Sequence, residues 1–214
     1  MDVIVATEQF VQKEMKDNDV SHDWAHVNRV RNLAVRIAKE EKMSNLEQIE
    51  LAALLHDVRD PKYSGDEDAT VALSAEFLRS LNYPEEKLEL VLAILRRVSY
   101  SSDLGSGEVS FPELAAVQDA DRLDAIGAIG VVRCFSYGAF RGRPMFDLSE
   151  KKRTAPFATK DEYRKLSGKS SLSHFYDKLL YLKNEMRTKT GARLAQRRHE
   201  TMLQFISEFE HEIS

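Results

Sequence analysis

The sequence predicts an all-α protein, and three observations carry the prediction. Apolar residues recur three and four positions apart over almost every long segment. No run alternates apolar and polar residues as a half-buried strand would. Capping residues and prolines fall where helices would start and stop. With 214 residues, 43% hydrophobic and 31% charged, the chain can fill a complete core, and we read one domain over residues 1–214.

From Ser21 onward, Trp24, Val27, Val30, Leu33, Ala34, Ile37 and Ala38 form one apolar stripe, with Arg29, Arg31, Arg36, Lys39 and Glu40 mostly outside it. Ser44 followed by Glu47 has the capping-box pattern and opens a helix through Leu46, Ile49, Leu51, Ala53 and Leu54. That helix reaches His56-Asp57, and Pro61 is expected to stop it. A third helix is expected from after Ser64-Gly65-Asp66 through Leu81, and a fourth from Pro84 carrying Leu88, Val91, Leu92 and Leu95. Pro112 opens a helix leading to Asp121. Phe175, Leu179, Leu182 and Met186 read as a stripe ended by Gly191, and Leu194, Met202, Phe205, Ile206 and Phe209 as a last amphipathic helix bearing His199 and His211 on its surface. Two stretches break the pattern, Ser101–Ser110 and the longer Arg141–Ser171, rich in proline, glycine, serine, lysine and arginine. Loops of the second length are often functional lids.

Composition excludes several function classes. A formal charge of −4 gives no global attraction to nucleic acid, and no apolar run approaches the ~20 residues that span a bilayer. The basic runs Lys151-Lys152-Arg153 and Arg197-Arg198 lack interleaved aromatics and read as solvated faces. A single cysteine, Cys134, excludes an internal disulfide; its apolar neighbours predict an inert thiol. The N-terminus lacks a secretory layout, so the expected location is the cytoplasm or the nucleus.

His56-Asp57 is the informative dipeptide. Two metal-binding residue types stand where a buried helix should end, and His26 and Asp121 can complete a set of two neutral imidazoles and two carboxylates. Adjacent helical residues point about 100° apart, so both can face one ion most easily at a helix end. Such a set neutralises a dication and leaves coordination positions open for water and substrate. Its mixed nitrogen and oxygen donors suit a first-row metal better than calcium, and the absence of cysteine argues against a closed structural zinc site. His22, four residues before His26, lies on the same face and can be read as a further ligand or as a neighbour that contacts phosphate.

Three strings, Ser21-His22-Asp23-Trp24-Ala25-His26, Ala53-Leu54-Leu55-His56-Asp57-Val58 and Gln118-Asp119-Ala120-Asp121-Arg122-Leu123-Asp124, resemble the signature segments of the HD-domain metal-dependent phosphohydrolases. Ile126-Gly127-Ala128-Ile129-Gly130 and Ser173-His174-Phe175-Tyr176-Asp177-Lys178 are similar to a stand-alone branch that includes bacterial nucleoside triphosphate pyrophosphohydrolases. The resemblance implies an all-α HD fold, a metal-binding core over about residues 20–135 with helices of 171–213 packed on it, and one metal held by His26, His56, Asp57 and Asp121. Two-metal relatives carry further histidines after the HD pair; none occurs here from Val58 to Ser173, so one ion is expected. The chain departs from relatives in two places. Val58-Arg59-Asp60-Pro61 has only one acid where guanosine tetraphosphate hydrolases carry a pair, and Val98 precedes Ser99-Tyr100-Ser101 where the branch often has histidine.

The expected function is therefore metal-dependent hydrolysis of nucleotides, with (deoxy)nucleoside triphosphate going to monophosphate and pyrophosphate. The alternatives are a 5'-deoxynucleotidase acting on monophosphates and an HD protein that binds nucleotide without turnover. The expected cofactor is one divalent cation, manganese first, with cobalt, nickel, iron or magnesium as substitutes. Asp60, with Asp66 as the alternative, is assigned to orient or deprotonate water. His22, Arg29, Lys62, Arg122, His174 and Lys178 are assigned to substrate, with Arg141, Arg143, Lys151, Lys152 and Arg153 on a loop able to close over a polyanion. The expected partner is a nucleotide, not nucleic acid or membrane; a homodimer is compatible with the sequence.

Overall fold

The computed structural model describes residues 2–16, 19–58, 69–98, 111–157, 159, 161, 162, 165 and 169–214. Among these residues the chain forms nine α-helices and no strand, as the spacing predicts. They are α1 (Val3–Glu14), α2 (Trp24–Glu40), α3 (Leu46–Leu55), α4 (Ala69–Ser80), α5 (Glu85–Leu95), α6 (Pro112–Asp124), α7 (Gly127–Phe140), α8 (Ser171–His174) and α9 (Lys189–Glu212).

The core forms where α2 lies against α3 and α6, with α5 closing on α3 and α9 covering α6 and α7. Every residue of α3 from Leu51 to Leu55 is fully buried, so this helix is enclosed all round. Each such leucine contributes roughly 1.5–3 kcal/mol relative to exposure. The end of α3 therefore stands in the middle of the protein, which matters for the residues that follow it.

Several expectations change in detail. Asn45, not Ser44, is the N-cap of α3, and Glu47 accepts a hydrogen bond from the Tyr83 hydroxyl at 2.9 Å instead of closing a capping box. A tertiary partner has outcompeted the local one. The helix ends at Leu55, ahead of Pro61, which lies outside the described residues together with Asp60, Lys62 and Asp66. α1, with Asp2 capping Ile4 at 2.8 Å, is an additional helix not read from the sequence.

The stripe Phe175, Leu179, Leu182 is buried as expected, but its backbone is a π-helical turn (Phe175–Leu179) and then a 3₁₀ turn (Leu182–Glu185). Gly191 does not end it. Thr188 caps the next helix by accepting from the Gly191 N–H at 2.9 Å, and Gly191 sits inside the first turn of α9. A Cβ there would come within 2.2 Å of Asp119 Oδ2. Gly127 and Gly130 allow close packing. Gly127 adopts φ +77° at the 70° bend between α6 and α7, and a Cβ on Gly130 would meet the Ala125 carbonyl oxygen at 2.3 Å.

His199 is only 8% exposed, so its expected surface position is corrected, whereas His211 is exposed. Among the described residues no single helix is long and apolar enough to cross a membrane.

Candidate metal centre

His26 lies in the first turn of α2, and Asp23 caps that helix by accepting from the His26 N–H at 3.0 Å. His56 is the C-cap of α3 and Asp57 follows it, so the dipeptide occupies the helix end at which adjacent side chains can converge. Asp121 comes from the last turn of α6. The packing of α2 on α3 and α6 thus brings three sequence-distant segments together.

The donor atoms surround one small space. His26 Nε2 is 3.2 Å from Asp57 Oδ2 and 3.7 Å from Asp121 Oδ1; His56 Nε2 is 3.6 Å from Asp57 Oδ1 and 3.8 Å from the same Asp121 oxygen. Cis ligands bound about 2.1 Å from one ion stand about 3 Å apart; His26, His56 and Asp57 come close to that size, and Asp121 stands beside both histidines at the edge of the group.

The protonation pattern fits too. His26 Nδ1 hydrogen-bonds Asp124 Oδ2 at 2.8 Å, and His56 Nδ1 hydrogen-bonds the Ala53 carbonyl at 2.8 Å. Each imidazole donates through Nδ1 and turns the Nε2 lone pair inward. Both Nε2 atoms are buried and make no hydrogen bond among the described residues. Two orphaned acceptors aimed at two carboxylates are costly unless a cation satisfies them.

Burial alone would raise the Asp121 carboxyl, but the His56 and His26 imidazoles outweigh it and hold it below the usual range. For His26, burial and Arg133 pull the imidazole down; the hydrogen bond to Asp124 and the negative charge of the nearby Asp57 carboxylate prevail and raise it above its ordinary value. Asp121 is also the exposed edge, with 29% of its side chain accessible against 1% and 3% for the two histidines, so the centre opens on that side.

His22 is not a member of the ligand group. Its Nδ1 shares a hydrogen with Ser21 Oγ at 2.7 Å, and its ring stands 5.9 Å from that of His26. It faces an adjoining pocket of about 310 Å³ whose charged and ionisable walls are His22, Arg133, Arg143, His174 and Lys178. No carboxylate is among its described lining residues. His22, His174 and Lys178, assigned separately from sequence, meet here.

Arg133 and Tyr137 were missed, because nothing in an apolar helix sequence distinguishes the residue that faces a pocket. Arg143 is the member of the basic loop that reaches this wall; its guanidinium lies 5.8 Å from the centre of the Tyr137 ring. Lys151 and Lys152 line a different cavity, where Lys152 pairs with Glu210 at 2.6 Å, and Arg153 covers the Phe157 ring at 3.8 Å.

Two assigned arginines have structural tasks. Arg29 holds Asp124 through Nε at 2.8 Å and Nη2 at 3.0 Å. Arg122 is 3% exposed and donates to the Glu185 carbonyl at 2.8 Å. Cys134 donates its thiol to the Ser171 carbonyl at 3.3 Å, and burial pushes the thiol up to about 12, which leaves it inert as expected.

Fold and site together define a metal-dependent phosphohydrolase. The HD-domain family model matches residues 23–126, a span that starts at the N-cap of α2 and contains all four candidate ligands. The chain is 36% identical to the uncharacterized protein YpgQ of Bacillus subtilis over 95% of its own length and 90% of the relative's. The structure of YpgQ in complex with ADP superposes with a TM-score of 0.73 at 31% identity, covering 98% of this chain and 97% of that one. A Lactobacillus plantarum protein gives a TM-score of 0.85 at 31% identity over 98% and 95% of the two chains. An HD-superfamily hydrolase of Bacillus thuringiensis gives 0.73 at 37% over the same shares. The chain belongs to the HD-domain family and is a metal-dependent hydrolase of that superfamily.

Proposed function

We propose that the protein hydrolyses (deoxy)nucleoside triphosphates to monophosphates and pyrophosphate, with manganese as the working cation. The observation that carries the reading is the basic pocket beside the metal centre, with five basic side chains and no described carboxylate on its walls. A polyphosphate tail offers several anionic oxygens to such a wall, where a single phosphate offers few. The binding of ADP by the YpgQ relative supports a nucleotide as the substrate class.

His26, His56, Asp57 and Asp121 would hold the cation, which when bound supplies charge neutralisation for phosphoryl oxygens and a water acidified toward neutrality. Arg133, Arg143 and Lys178 bind the outer phosphates and stabilise the charge that develops on the departing pyrophosphate. His22 and His174 complete the phosphate contacts, and the Tyr137 ring offers an apolar face at the same wall. Asp60, with Asp66 as the alternative, accepts the proton of the attacking water, and Lys62 adds a further positive charge; these three lie outside the described residues. We assign the enzyme to the cytoplasm, with its nucleotide substrates.

The test is a nucleotide panel with manganese, cobalt, nickel and magnesium in turn, with products resolved by chromatography. Pyrophosphate from triphosphates, fastest with manganese, is expected. Orthophosphate from monophosphates would replace the reading with a nucleotidase, and thermal stabilisation by nucleotides without any product would replace it with a binding protein.

A further inference from the structure

Asp124 lies three residues beyond Asp121 on α6, one turn along the same face. The two carboxylates are used differently. Asp121 is partly exposed at the open edge of the centre, whereas Asp124 has 2% of its side chain accessible and is surrounded by donors. His26 Nδ1 approaches its Oδ2 at 2.8 Å, Arg29 grips both oxygens, and Arg133 Nη1 reaches Oδ2 at 3.2 Å.

We propose that Asp124 is a positioning residue that serves both halves of the site. One buried carboxylate fixes the metal-facing tautomer of His26 and holds Arg133 at the wall of the basic pocket.

The metal half follows from hydrogen-bond accounting. An imidazole that donates through Nδ1 to a carboxylate presents a lone pair at Nε2, and the orphaned His26 Nε2 points at Asp57 and Asp121. Charge accounting gives the same answer. Without Asp124, the guanidinium groups of Arg29 and Arg133 would stand uncompensated beside a centre that must accept a dication.

The pocket half follows from the other contacts of Arg133. Its Nε donates to the Ser21 carbonyl at 2.7 Å, and Ser21 Oγ shares a hydrogen with His22 Nδ1. Through Arg133 the same carboxylate therefore places two of the basic groups that line the pocket. Only this half rests on reading the pocket as a phosphate site.

The experiment uses full-length D124N, nearly isosteric with the native residue, and Mn2+ alone, with the free ion read by electron paramagnetic resonance. No nucleotide is present, so the result is independent of the proposed reaction. We expect Mn2+ affinity to fall by about 10–100-fold, the range for outer-sphere partners of metal ligands, in a variant whose far-UV circular dichroism matches wild type. R29Q, which removes a partly exposed partner of Asp124 but leaves the bond to His26, should stay within about fivefold of wild type. A folded D124N with wild-type Mn2+ affinity overturns the metal half. Should D124N fail to fold, long-range ¹H–¹⁵N spectra of histidine-labelled wild-type apoprotein in alkaline buffer decide the matter: the Nδ1–H tautomer at His26 supports the proposal, and the Nε2–H tautomer overturns it. For the pocket, inorganic phosphate is the probe. D124N and R133Q should both weaken its binding, whereas only D124N should weaken Mn2+; phosphate binding unchanged in D124N overturns the link.

Discussion

The carboxylate of Asp119, in the middle of α6, accepts the backbone N–H of Thr188 at 2.8 Å and its hydroxyl at 2.7 Å, and so pins the start of α9 to the helix that carries Asp121. The Arg187 N–H adds a bond at 2.9 Å to the other oxygen. One fully buried side chain thus fixes where the last helix begins, and that helix closes over the metal-bearing core.

Gly191→Ala tests this junction. Alanine favours a helix over glycine by about 1 kcal/mol, but the new Cβ would meet the immobilised Asp119 oxygen at 2.2 Å. Overpacking of that kind costs about 1–3 kcal/mol, and the carboxylate cannot withdraw without breaking its bonds. The expected outcome is a net loss of about 1–2 kcal/mol, seen as a melting temperature lower by roughly 2–8 °C; a variant as stable as wild type would contradict the assigned packing.

His56→Ala and Asp121→Ala each remove a donor from the centre. Hydrolysis should fall by more than about 100-fold, beyond the range for outer partners, and Mn2+ binding measured by calorimetry should fall with it. Full activity in either purified variant would refute the site assignment.

Arg143→Ala and Lys178→Ala act on the pocket, not on the metal. Each should raise KM by roughly 10–100-fold, the value of one charge-assisted hydrogen bond of about 1.5–3 kcal/mol, with Mn2+ affinity unchanged. Added salt should shrink the difference from wild type, because part of the attraction is screened. Steady-state kinetics on a nucleoside triphosphate at two salt concentrations checks both statements.

His199 gives a pH signature. Burial, helped by the nearby Lys183 charge, lowers its imidazole below the ordinary value, so the folded state resists its protonation while the unfolded chain takes the proton freely. The stability linked to this group is complete above about pH 6.5 and is lost as pH falls below it toward the folded value. Urea midpoints of wild type should therefore drop between about pH 7 and pH 5, and His199→Leu should reduce that drop. An equal drop in the variant would assign the pH dependence to other groups.

The helices that bear ligands were legible because their signals are local. The stripe of α2, the apolar run into His56 and the proline opening α6 each lie within one segment, and each proved to be a helix near its expected bounds. Where a tertiary partner competed with a local one, the local reading failed. Tyr83 drew Glu47 out of the capping box, and the 171–191 region kept its buried stripe but wound it as π and 3₁₀ turns. Among site residues, Asp124 carried a local signal, three positions after Asp121, whereas Arg133 and Tyr137 carried none.

By itself the sequence determined the all-α class and the four candidate ligands, because hydrophobic period and side-chain chemistry are written in the order of residues. Only the tertiary structure decided which imidazole nitrogen faces the centre, that His22 lines the pocket, and that Arg29 binds Asp124 and Arg122 the Glu185 carbonyl. Those properties depend on hydrogen bonds between groups far apart in the chain, such as the 98-residue separation of His26 and Asp124, and no local pattern records which distant partner a buried donor will find.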